Sequence, residues 1–554
     1  MNHQKYVKMY HPVPLENREW PSKEITHAPI WCSVDLRDGN QALYSPMTID
    51  EKLEFFDYLV KIGFKEIEVG FPAASATEFD FVRRLIEENR IPDDVSIQVL
   101  TQSREHIIKK TVESLKGVKH AIIHLYNSTS TLQRKVVFKK SKEEIKQLAI
   151  DGAKLIRDLV DPNFTPEQIR YEYSPESFTC TEPDYAAEVT NAVLDVFEPT
   201  PERKVIVNLP STIEVATANV YADQIEYMCK HLNNRENLII SVHAHNDRGT
   251  GVASSELALL AGADRVEGTL FGNGERTGNT DLVTVALNMF AQGIDPELDL
   301  SNIDEAIKLF EKCNKMPIHP RHPYAGDMAY VAFSGSHQDA IKKSFDLFEK
   351  EGSKIWANPY LTIDPQDIGR KYEPILINSQ SGKGGVSYIM EAKYGYTLPK
   401  AMLVEFSDLI NKLSDAKHTV LTNHEIHMAF KDTYVNVTEP IKMKFYRIQH
   451  TEDNATVLSA TVEYNGTVKT VEGKGNGPLD ALCNALRTML GASFEISNYH
   501  EHALARSSSS RAAAYISITT CKNEVFWGAG VDENINTASL YALISAVNRK
   551  LLSE

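Results

Sequence analysis

The sequence of 554 residues contains no apolar run long enough to cross a membrane. A membrane span needs about 20 consecutive apolar residues, and a signal peptide needs an apolar segment behind a basic start. The opening stretch MNHQKYVKMYHPVP has no apolar core. The sequence therefore predicts a protein with no membrane association, no signal peptide and no transit peptide.

Paired cysteines are also missing. The six cysteines are scattered along the chain, and no two of them form a CxxC motif. This spacing argues against a disulfide framework and against a zinc site made of thiolates. It is typical of reduced thiols, and it predicts a cytoplasmic protein.

Basic residues are fewer than acidic residues. The chain has 59 lysines and arginines against 75 aspartates and glutamates, which gives a formal net charge of −16. This balance argues against binding to nucleic acid or to anionic membranes, although it permits a local basic pocket for an anionic ligand. Low-complexity tracts are absent, and the length allows one large domain with one or two smaller ones.

Between residue 30 and about residue 290, short apolar strands alternate with amphipathic helices. Strands are predicted at PIWCSVD, EIEVGF, SIQVLT, HAIIHLYN, IRYEYS, KVIVNL, LIISVHAHN and RVEGTLF. The first helix is marked by Thr48 as N-cap and Glu51 three residues later. Eight strand–helix units predict an α/β fold of the (β/α)8 TIM-barrel type. A doubly wound sheet is disfavoured, because no glycine-rich dinucleotide motif follows the first strand.

The pattern changes after the barrel. The next hundred residues read mostly as helices. Strands are then predicted at MKFYRIQH, ATVLSATVEYNG and TVKTVEGKG before the helix LDALCNALRTML, and at AAAYISITT and EVFWGAG before the helix TASLYALISAVNRKL. This predicts a C-terminal α+β domain with an internal duplication, in preference to two unrelated hairpin–helix units. The predicted domains are an N-terminal extension at 1–29, the barrel at 30–325, a helical linker region at 326–435 and the C-terminal domain at 436–554.

Two histidines stand at alternate positions near the end of the seventh strand, in SVHAHNDRG. On a strand, His243 and His245 project to the same side, and the carboxyl ends of barrel strands form active sites. Neutral imidazole binds divalent ions. The spacing predicts a metal site, against the alternative that both histidines only hydrogen-bond to neighbours.

The first strand leads into VDLRDGNQAL, which adds charged groups at the same end of the barrel. Asp38 offers an anionic ligand, and Arg37 offers a fixed cation for a carboxylate or an oxyanion. Gln41 is a further polar candidate. After the eighth strand, GNGERTGN contributes Asn279 as an oxygen ligand. One carboxylate, two imidazoles and one amide suit zinc, manganese or magnesium.

Other barrel strands carry more polar side chains in this phase than a normally apolar barrel interior requires. These residues are Glu68, His124, Arg170, Glu172, Ser174, Glu176 and Thr212. The candidates for substrate binding are Gln41, His124, Ser174 and Thr212. Glu68 and Glu172 are equally well explained as structural groups with satisfied hydrogen bonds.

Together these residues resemble the metal-dependent acyl-CoA-condensing barrel enzymes, which share Arg-Asp on the first strand and His-x-His on the seventh. Within that group the chain is similar to the 2-isopropylmalate synthase family in its longer form, over nearly the whole sequence. The matching segments, in order, are DLRDGNQAL, EVGFPAAS, YSPESFT, HAHNDRGTG, GTLFGNGERTGN, SGSHQDAI, NSQSGKGGV and GKGNGPLDAL.

The resemblance implies a Claisen condensation of acetyl-CoA with 3-methyl-2-oxobutanoate, followed by hydrolysis to (2S)-2-isopropylmalate and CoA. This is the first committed step of leucine biosynthesis. The ligands implied for a divalent ion (Mg²⁺, Mn²⁺ or Zn²⁺) are Asp38, His243, His245 and, less firmly, Asn279. A monovalent activator such as K⁺ is compatible with the resemblance.

The resemblance also implies catalytic roles. Arg37 stabilises the alkoxide that forms on the attacked carbon, and Thr212 holds the substrate carboxylate. Glu176 and His337 share proton transfer, without a decision on which one is the base. Tyr360 is the remaining catalytic candidate. In relatives, the counterparts of His337 and Tyr360 reach the barrel of a partner subunit, which implies a homodimer.

The duplicated C-terminal domain resembles a leucine-sensing regulatory domain. Gly475 and Gly477 permit the close approach of a small zwitterion, and Ala512 in RAAAY leaves room for a branched side chain. The alternative is that these glycines only form turns before a helix. Serines in ARSSSSRAAAY stand where the family often has acidic residues, which leaves the identity of the effector open.

Other functions stay open at this point. Homocitrate synthase and citramalate synthase use the same acyl donor with another 2-oxo acid, and one methylene changes affinity by only about 1–3 kcal/mol. An acyl-CoA lyase would run the carbon–carbon step in reverse, but such lyases usually end soon after the barrel. A metabolite-binding regulator with an inactive barrel has no need of the metal set together with Arg37 and Glu176.

Overall fold

A computed structural model describes residues 2–372, 383–417, 421–451, 455–504 and 510–553. The chain forms two compact units. The first comprises Met1–Ala329 and Pro365–Arg370, and the second comprises Tyr330–Asp364 and Lys371–Glu554. In the described part of the chain, no helix has the length and apolar character needed to span a membrane.

The first unit contains a closed barrel of eight parallel strands in chain order, in which the last strand pairs with the first. The strands are β1 Ile30–Ser33, β2 Glu66–Gly70, β3 Ser96–Gln102, β4 Ala121–Ser128, β5 Ile169–Glu176, β6 Val205–Ser211, β7 Leu238–Ala244 and β8 Arg265–Gly268. The predicted TIM barrel is confirmed. All eight carboxyl ends therefore point to one face, where the loops that follow them meet.

Helices alternate with these strands. They are α1 Ile49–Ile62, α2 Ala76–Glu87, α3 Glu105–Ser114, the single turn α4 Thr131–Gln133, α5 Lys142–Val160, α6 Pro183–Phe197, α7 Ala218–His231, α8 Gly251–Leu260, α9 Leu282–Phe290 and α10 Ile303–Asn314. Helix α1 begins as predicted, because Thr48 and Glu51 exchange hydrogen bonds in a reciprocal capping box. Its inner face, with Leu53, Phe56 and Leu59, is fully buried.

The second unit begins with helices and ends with two small sheets. Its helices before the sheets are α11 Gly335–Glu351, α12 Lys383–Tyr388, α13 Lys400–Lys417 and α14 Asn423–Tyr434. Phe406 on α13 and Phe430 on α14 share one apolar core with Tyr515 and Trp527 of the C-terminal region. Within the second unit, the helical region therefore shares a core with the sheet that carries Tyr515 and Trp527.

The C-terminal region contains the predicted duplication. One antiparallel sheet has the order β11-β10-β9 and is followed by a helix, and the other has the order β12-β13-β14 and is also followed by a helix. The elements are β9 Ile441–His450, β10 Thr456–Tyr464, β11 Thr467–Gly475, α15 Pro478–Leu490, β12 Phe494–Ala503, β13 Ala512–Thr520, β14 Val525–Asp532 and α16 Ile535–Leu552.

Strand β12 is absent from the sequence prediction. Its residues FEISNYHEHA are mostly exposed, and the polar ones among them hide the alternation that marks a half-buried strand. The strand exists because its backbone pairs with β13 over nearly its whole length. Each repeat thus has three strands and one helix.

Both repeats bring the third strand very close to the helix behind it. A Cβ atom on Gly475 of β11 would lie 2.5 Å from the backbone nitrogen of Ala481 on α15. On β14, a Cβ atom on Gly530 would lie closer still to the backbone oxygen of Ala538 on α16. Both repeats therefore need a glycine at this position of the third strand.

Candidate active site

A single π-helical turn at Asp35–Gly39 carries the charged motif of the first strand into the barrel mouth. The carbonyl oxygen of Val34 accepts a hydrogen bond from the Gly39 amide at 3.1 Å, which closes the wide turn. Asp35 fixes the turn in place, because its carboxylate accepts the Leu270 amide beyond β8 at 3.1 Å. Arg37 and Asp38 are thereby held in a rigid position.

Asp38 meets His243 on β7 and His245, the residue directly after β7. Its Oδ2 lies 3.6 Å from Nε2 of His243 and 3.8 Å from Nε2 of His245, and all three residues are buried. Two atoms that each lie about 2.1 Å from one ion are at most about 4.2 Å apart. The spacing is therefore compatible with a shared divalent cation.

Unpartnered atoms at this point also fit a cation. Asp38 Oδ2 and Asn279 Oδ1 are buried and make no hydrogen bond within the described residues. Asn279 is paired with His245 through an isolated bridge, and its amide nitrogen donates to the Asn273 carbonyl at 2.9 Å. The amide oxygen of Asn279 is consequently left available as a ligand.

Glu267 on β8 orients the first histidine. Its Oε2 lies 2.8 Å from Nδ1 of His243, so Nδ1 carries a proton and Nε2 is the nitrogen that faces Asp38. A carboxylate behind a ligating imidazole fixes the tautomer and raises the basicity of the ligand. The sequence analysis did not select Glu267, although it shares the inward phase of Arg265 on a strand of four residues.

The charges in the site are strongly coupled. Burial raises the pKa of Asp38, but the charge of Arg37 and the nearby histidines outweigh it and hold that pKa well below its usual range. Burial lowers the pKa of His243, but hydrogen bonds to Asp38 and Glu267 raise it to about 9. Burial, followed by the charge of His243, lowers the pKa of His245 to about 4. Without a cation, His243 is therefore protonated and His245 is neutral, so a cation that binds at Nε2 of His243 must displace a proton.

Arg37 links this group to β2. Its guanidinium donates to Asp38 Oδ1 at 2.6 Å and to Glu68 Oε2 at 2.9 Å. Burial opposes its charge, yet Glu68 and Asp38 raise the pKa of Arg37 further. Arg37 is a permanent, fixed cation beside the position where a cation could bind, so it can stabilise negative charge on a substrate oxygen.

These groups line one cavity of about 330 Å³ at the barrel mouth. Of the predicted residues, the structure brings together Arg37, Asp38, Gln41, His124, Ser174, Glu176, Thr212, His243 and His245. Asn279 is buried directly beside His245. Residues that line the cavity and were not selected from the sequence are Phe71, Leu100, Gln102, Tyr126, Asn208 and Pro210. Most of them lie in the carboxyl-terminal half of a barrel strand in the inward phase, which is the signal that could have found them.

Comparisons with known proteins identify the family of the chain. The HMGL-like family profile matches residues 28–309. The profile described as alpha-isopropylmalate synthase, post-catalytic domain-like, matches 327–391, and that of the LeuA allosteric (dimerisation) domain matches 420–551. A 2-isopropylmalate synthase of Clostridium acetobutylicum is 54% identical over 100% of both chains. The chain belongs to the 2-isopropylmalate synthase family.

Further members of the 2-isopropylmalate synthase family are similar over the same length. The enzyme of Acetoanaerobium sticklandii is 52% identical over 100% of this chain and 98% of its own, and that of Rhodospirillum rubrum is 51% identical over 98% of each. Among solved structures, the HMG-CoA lyase of Brucella melitensis is 18% identical with a TM-score of 0.42, covering 52% of this chain and all of the lyase.

One carboxylate in the cavity has the environment of a base. Glu176 ends β5, and Ser128 at the end of the neighbouring β4 donates a hydrogen bond to its Oε2. Burial raises the pKa of Glu176 above the usual value of a glutamate, and the bond from Ser128 lowers it in part. Such a carboxylate is a stronger base than an exposed one.

The remaining sites predicted from the resemblance to the 2-isopropylmalate synthase family lie in the second unit. His337 on α11 and Tyr360 stack with ring centroids 4.0 Å apart. Gly475 packs against α15, whereas Gly477 is the N-cap of that helix, and a Cβ atom on Gly477 would have no neighbour within 4 Å. Ala512 opens β13 and is buried. Most of the motif NSQSGKGGV and most of the serine run lie outside the described residues.

Proposed function

We propose that this chain catalyses the condensation of acetyl-CoA with 3-methyl-2-oxobutanoate and the hydrolysis that releases (2S)-2-isopropylmalate and CoA. One observation carries the proposal: Asp38, His243 and His245 converge beside Arg37 in a cavity, in a chain of the 2-isopropylmalate synthase family. The other family members named above bear that activity in their names.

The donor set fits a divalent cation held by Asp38, His243, His245 and Asn279. Mixed nitrogen and oxygen ligands suit Zn²⁺, Mn²⁺ or Mg²⁺. When bound, such an ion supplies Lewis acidity to the keto group of a 2-oxo acid, which can chelate it through its keto and carboxylate oxygens. K⁺ is proposed as a further activator on the resemblance alone.

The residues around the cavity divide the remaining work. Glu176, together with His337, takes a proton from the methyl group of acetyl-CoA, and the resulting carbon nucleophile forms a bond to the keto carbon. Arg37 stabilises the alkoxide until it takes up a proton. Water then breaks the thioester bond, so that the sulfur leaves as the CoA thiol.

Substrate binding falls to neighbouring polar groups. Thr212 holds the carboxylate of the oxo acid, and Gln41, His124 and Ser174 surround the remainder of the substrate. His337 and Tyr360 are supplied by the partner subunit of a homodimer, as the resemblance implies. Leucine acts as a feedback effector through the C-terminal region that contains Gly475, Gly477 and Ala512.

Homocitrate and citramalate synthesis are the alternatives, because they differ only in the oxo acid. The test is the release of CoA thiol from acetyl-CoA with 3-methyl-2-oxobutanoate, 2-oxoglutarate and pyruvate, each with and without EDTA. We expect the branched oxo acid to give the highest kcat/KM, and EDTA to abolish thiol release until Mn²⁺ or Zn²⁺ is restored. The proposal would be refuted if metal-replete protein released no CoA thiol with any of the three oxo acids.

A further inference from the structure

One layer deeper than the metal-site residues, the barrel interior is polar instead of branched and apolar. The residues of this layer are buried in the described structure: Glu66, Glu68, Gln98, His124, Glu172, Asn208, Ser241, Arg265 and Glu267. They come from seven different strands. Buried polar groups are costly unless each finds a partner, so their hydrogen bonds determine which groups carry protons.

Arg265 organises the layer. Its guanidinium donates to Glu66 Oε2 at 2.6 Å, to Ser241 Oγ at 2.8 Å and to Glu267 Oε1 at 2.7 Å. It also donates to Gln98 Oε1 at 2.6 Å. Because a guanidinium only donates, the oxygen of the Gln98 amide must face Arg265. The amide nitrogen of Gln98 therefore faces the opposite way.

Gln98 in turn fixes the tautomer of His124. The Gln98 amide nitrogen donates to Glu267 Oε1 at 2.9 Å and lies 3.3 Å from His124 Nδ1, which must therefore be the unprotonated nitrogen. The protonated Nε2 of His124 then donates to Ser174 Oγ at 2.7 Å. Asn208 donates to the same oxygen at 3.0 Å. The hydroxyl proton of Ser174 is left for the cavity that this residue lines.

Glu172 is the carboxylate of the layer with no donor to either oxygen, whereas Glu68, whose Oε1 also lacks a partner, accepts a hydrogen bond from Arg37 on Oε2. Neither carboxylate oxygen of Glu172 makes a hydrogen bond within the described residues. Oε1 lies 3.4 Å from the unprotonated Nδ1 of His124, and Oε2 lies 3.7 Å from Arg265. Burial, followed by the charge of Glu267, raises the pKa of Glu172 well above its usual value.

A second cation does not explain this arrangement. Ligand atoms of His124, Glu172 and Glu267 lie within 4.8 Å of one another. However, Glu267 already accepts four hydrogen bonds, two on each oxygen, from Arg265, Gln98, His243 and Asn208. No lone pair of Glu267 is left for a metal, and the guanidinium already supplies a positive charge. A proton on Glu172 completes the layer instead.

We propose that Glu172 is a neutral carboxylic acid and acts as a positioning residue. Its O–H shares the Nδ1 lone pair of His124 with Gln98, which keeps the proton of His124 on Nε2 and leaves the Ser174 hydroxyl free to donate to an oxygen of the bound oxo acid. Only this last step rests on the proposed function. The other titratable groups that face Glu172 from the surrounding strands are Glu267, Arg265, Glu68 and His124. Cys32 and Glu66 act on Arg265 in the same layer.

The proton can be detected through stability. A proton that only the folded chain holds makes the unfolding equilibrium constant rise about tenfold per pH unit, from the unfolded-state pKa up to the raised folded-state pKa. Glu172→Gln lacks this titration. The quantity to follow is the ratio of the unfolding equilibrium constant of the wild type to that of Glu172→Gln. We expect this ratio to rise about tenfold per pH unit above about pH 5.5. Hydrogen exchange of barrel-strand peptides in the full-length protein measures it.

Glu66→Gln is the matched control. The Glu66 carboxylate accepts from Arg265 and Arg170, which keep it ionised, so its effect on stability should not change above about pH 5.5. Parallel pH curves for the wild type and Glu172→Gln would overturn the proposal. No substrate is involved, so a wild type that makes no product but shows the pH-dependent difference would refute only the proposed function.

The positioning role has a kinetic test. Glu172→Ala should raise KM for the oxo acid about tenfold, the loss of roughly one hydrogen bond. Glu172→Gln keeps a donor at the same place and should recover most of that loss. A glutamine variant as impaired as the alanine variant would show that the carboxylate and not the donor is needed, which overturns the proposal. If the alanine variant does not fold, the pH comparison still decides.

Discussion

At the level of single residues, Glu176 shows how the site sets the strength of a base. Its carboxylate ends β5 inside the cavity and accepts a hydrogen bond from Ser128. Burial raises the pKa of Glu176, and the serine limits that rise. The group is thus a stronger base than a surface glutamate.

Replacing the carboxylate tests this role. Glu176→Gln should lower kcat by a factor of about 10²–10⁴, because the variant has no basic oxygen for the acetyl methyl proton. Metal content should not change, since Glu176 is not in the proposed ligand set. Thiol release and bound metal are measured on the same preparation. Turnover near that of the wild type would remove Glu176 from the mechanism.

The hydrogen bond from Ser128 gives a pH prediction. That bond stabilises the ionised carboxylate and lowers the pKa of Glu176, so Ser128→Ala should raise it. Because the base must be deprotonated to act, the acidic limb of the pH profile of kcat/KM should move to higher pH. An unchanged acidic limb would mean that another group sets it.

How far single residues could be predicted depended on local spacing. His243 and His245 are two residues apart, so a strand geometry places them on the same side. Asp38 follows a strand in the same phase. Local spacing could not predict the role of Glu267, because this residue orients His243 only through the pairing of β7 with β8. Its role depends on pairing between strands, which a short strand such as β8 does not indicate in its own sequence.

At the level of elements, α1 and α2 are joined by a buried ion pair. Lys52 on α1 is fully buried, and its ammonium lies 2.5 Å from the Glu78 carboxylate on α2 and 4.8 Å from the Phe81 ring. Burial lowers the pKa of Lys52, and Glu78 offsets part of that effect. Glu78 also accepts the amide of Phe71, a residue that lines the cavity.

Removing the acid should therefore destabilise the barrel. Glu78→Ala leaves the Lys52 ammonium buried without an anion, which costs about 3–5 kcal/mol of unfolding free energy. Lys52→Met combined with Glu78→Gln should recover most of it. The exposed pair Glu105–Lys109 is the control, since Glu105→Ala should change stability by no more than about 0.5 kcal/mol. Thermal unfolding of the three variants compares them, and equal losses for Glu78→Ala and Glu105→Ala would contradict the prediction.

The glycines of the C-terminal region can be separated by their surroundings. Gly475→Ala puts a methyl group 2.5 Å from the α15 backbone and should cost about 1–3 kcal/mol. Gly477→Ala meets open space and should cost less than about 1 kcal/mol. If Gly477 takes part in leucine binding, its variant should lose leucine inhibition while its Tm is nearly unchanged. If only Gly475→Ala loses leucine inhibition, and it also loses stability, the effect of these glycines on inhibition is structural.

Elements were predictable where a local rule acts alone. The capping box of Thr48 and Glu51 depends on only four consecutive residues, and the structure confirms it. Strands β11 and β13 match their predicted ranges. Strand β12 was missed because pairing with β13, and not burial, holds it in the sheet.

At the level of the whole molecule, the match to the LeuA allosteric (dimerisation) domain supports a homodimer. The resemblance adds that His337 of one subunit serves the barrel of the other. Sequence alone could not establish this, because a histidine on an exposed helix face carries no sign of what it meets. The stacked pair of His337 and Tyr360 is nevertheless a preformed unit.

Mixing two inactive variants tests this sharing of residues between subunits. Glu176→Gln and His337→Ala should each be nearly inactive as homodimers. If His337 acts in the partner's barrel, co-refolded hybrids contain one complete site, and a random mixture should recover about a quarter of wild-type activity. Sedimentation confirms that the dimer forms. No recovery from mixed dimers would place His337 in its own barrel or outside the mechanism.

The wide spacing of the metal-site residues along the chain affects biosynthesis. Asp38 follows the first strand of the barrel, whereas Glu267 and Asn279 come from the last strand and the loop beyond it. A nascent chain that still has β8 inside the ribosome has neither the carboxylate that orients His243 nor the amide beside His245. A cation site made of these residues is therefore complete only after β8 and the loop beyond it have joined the barrel.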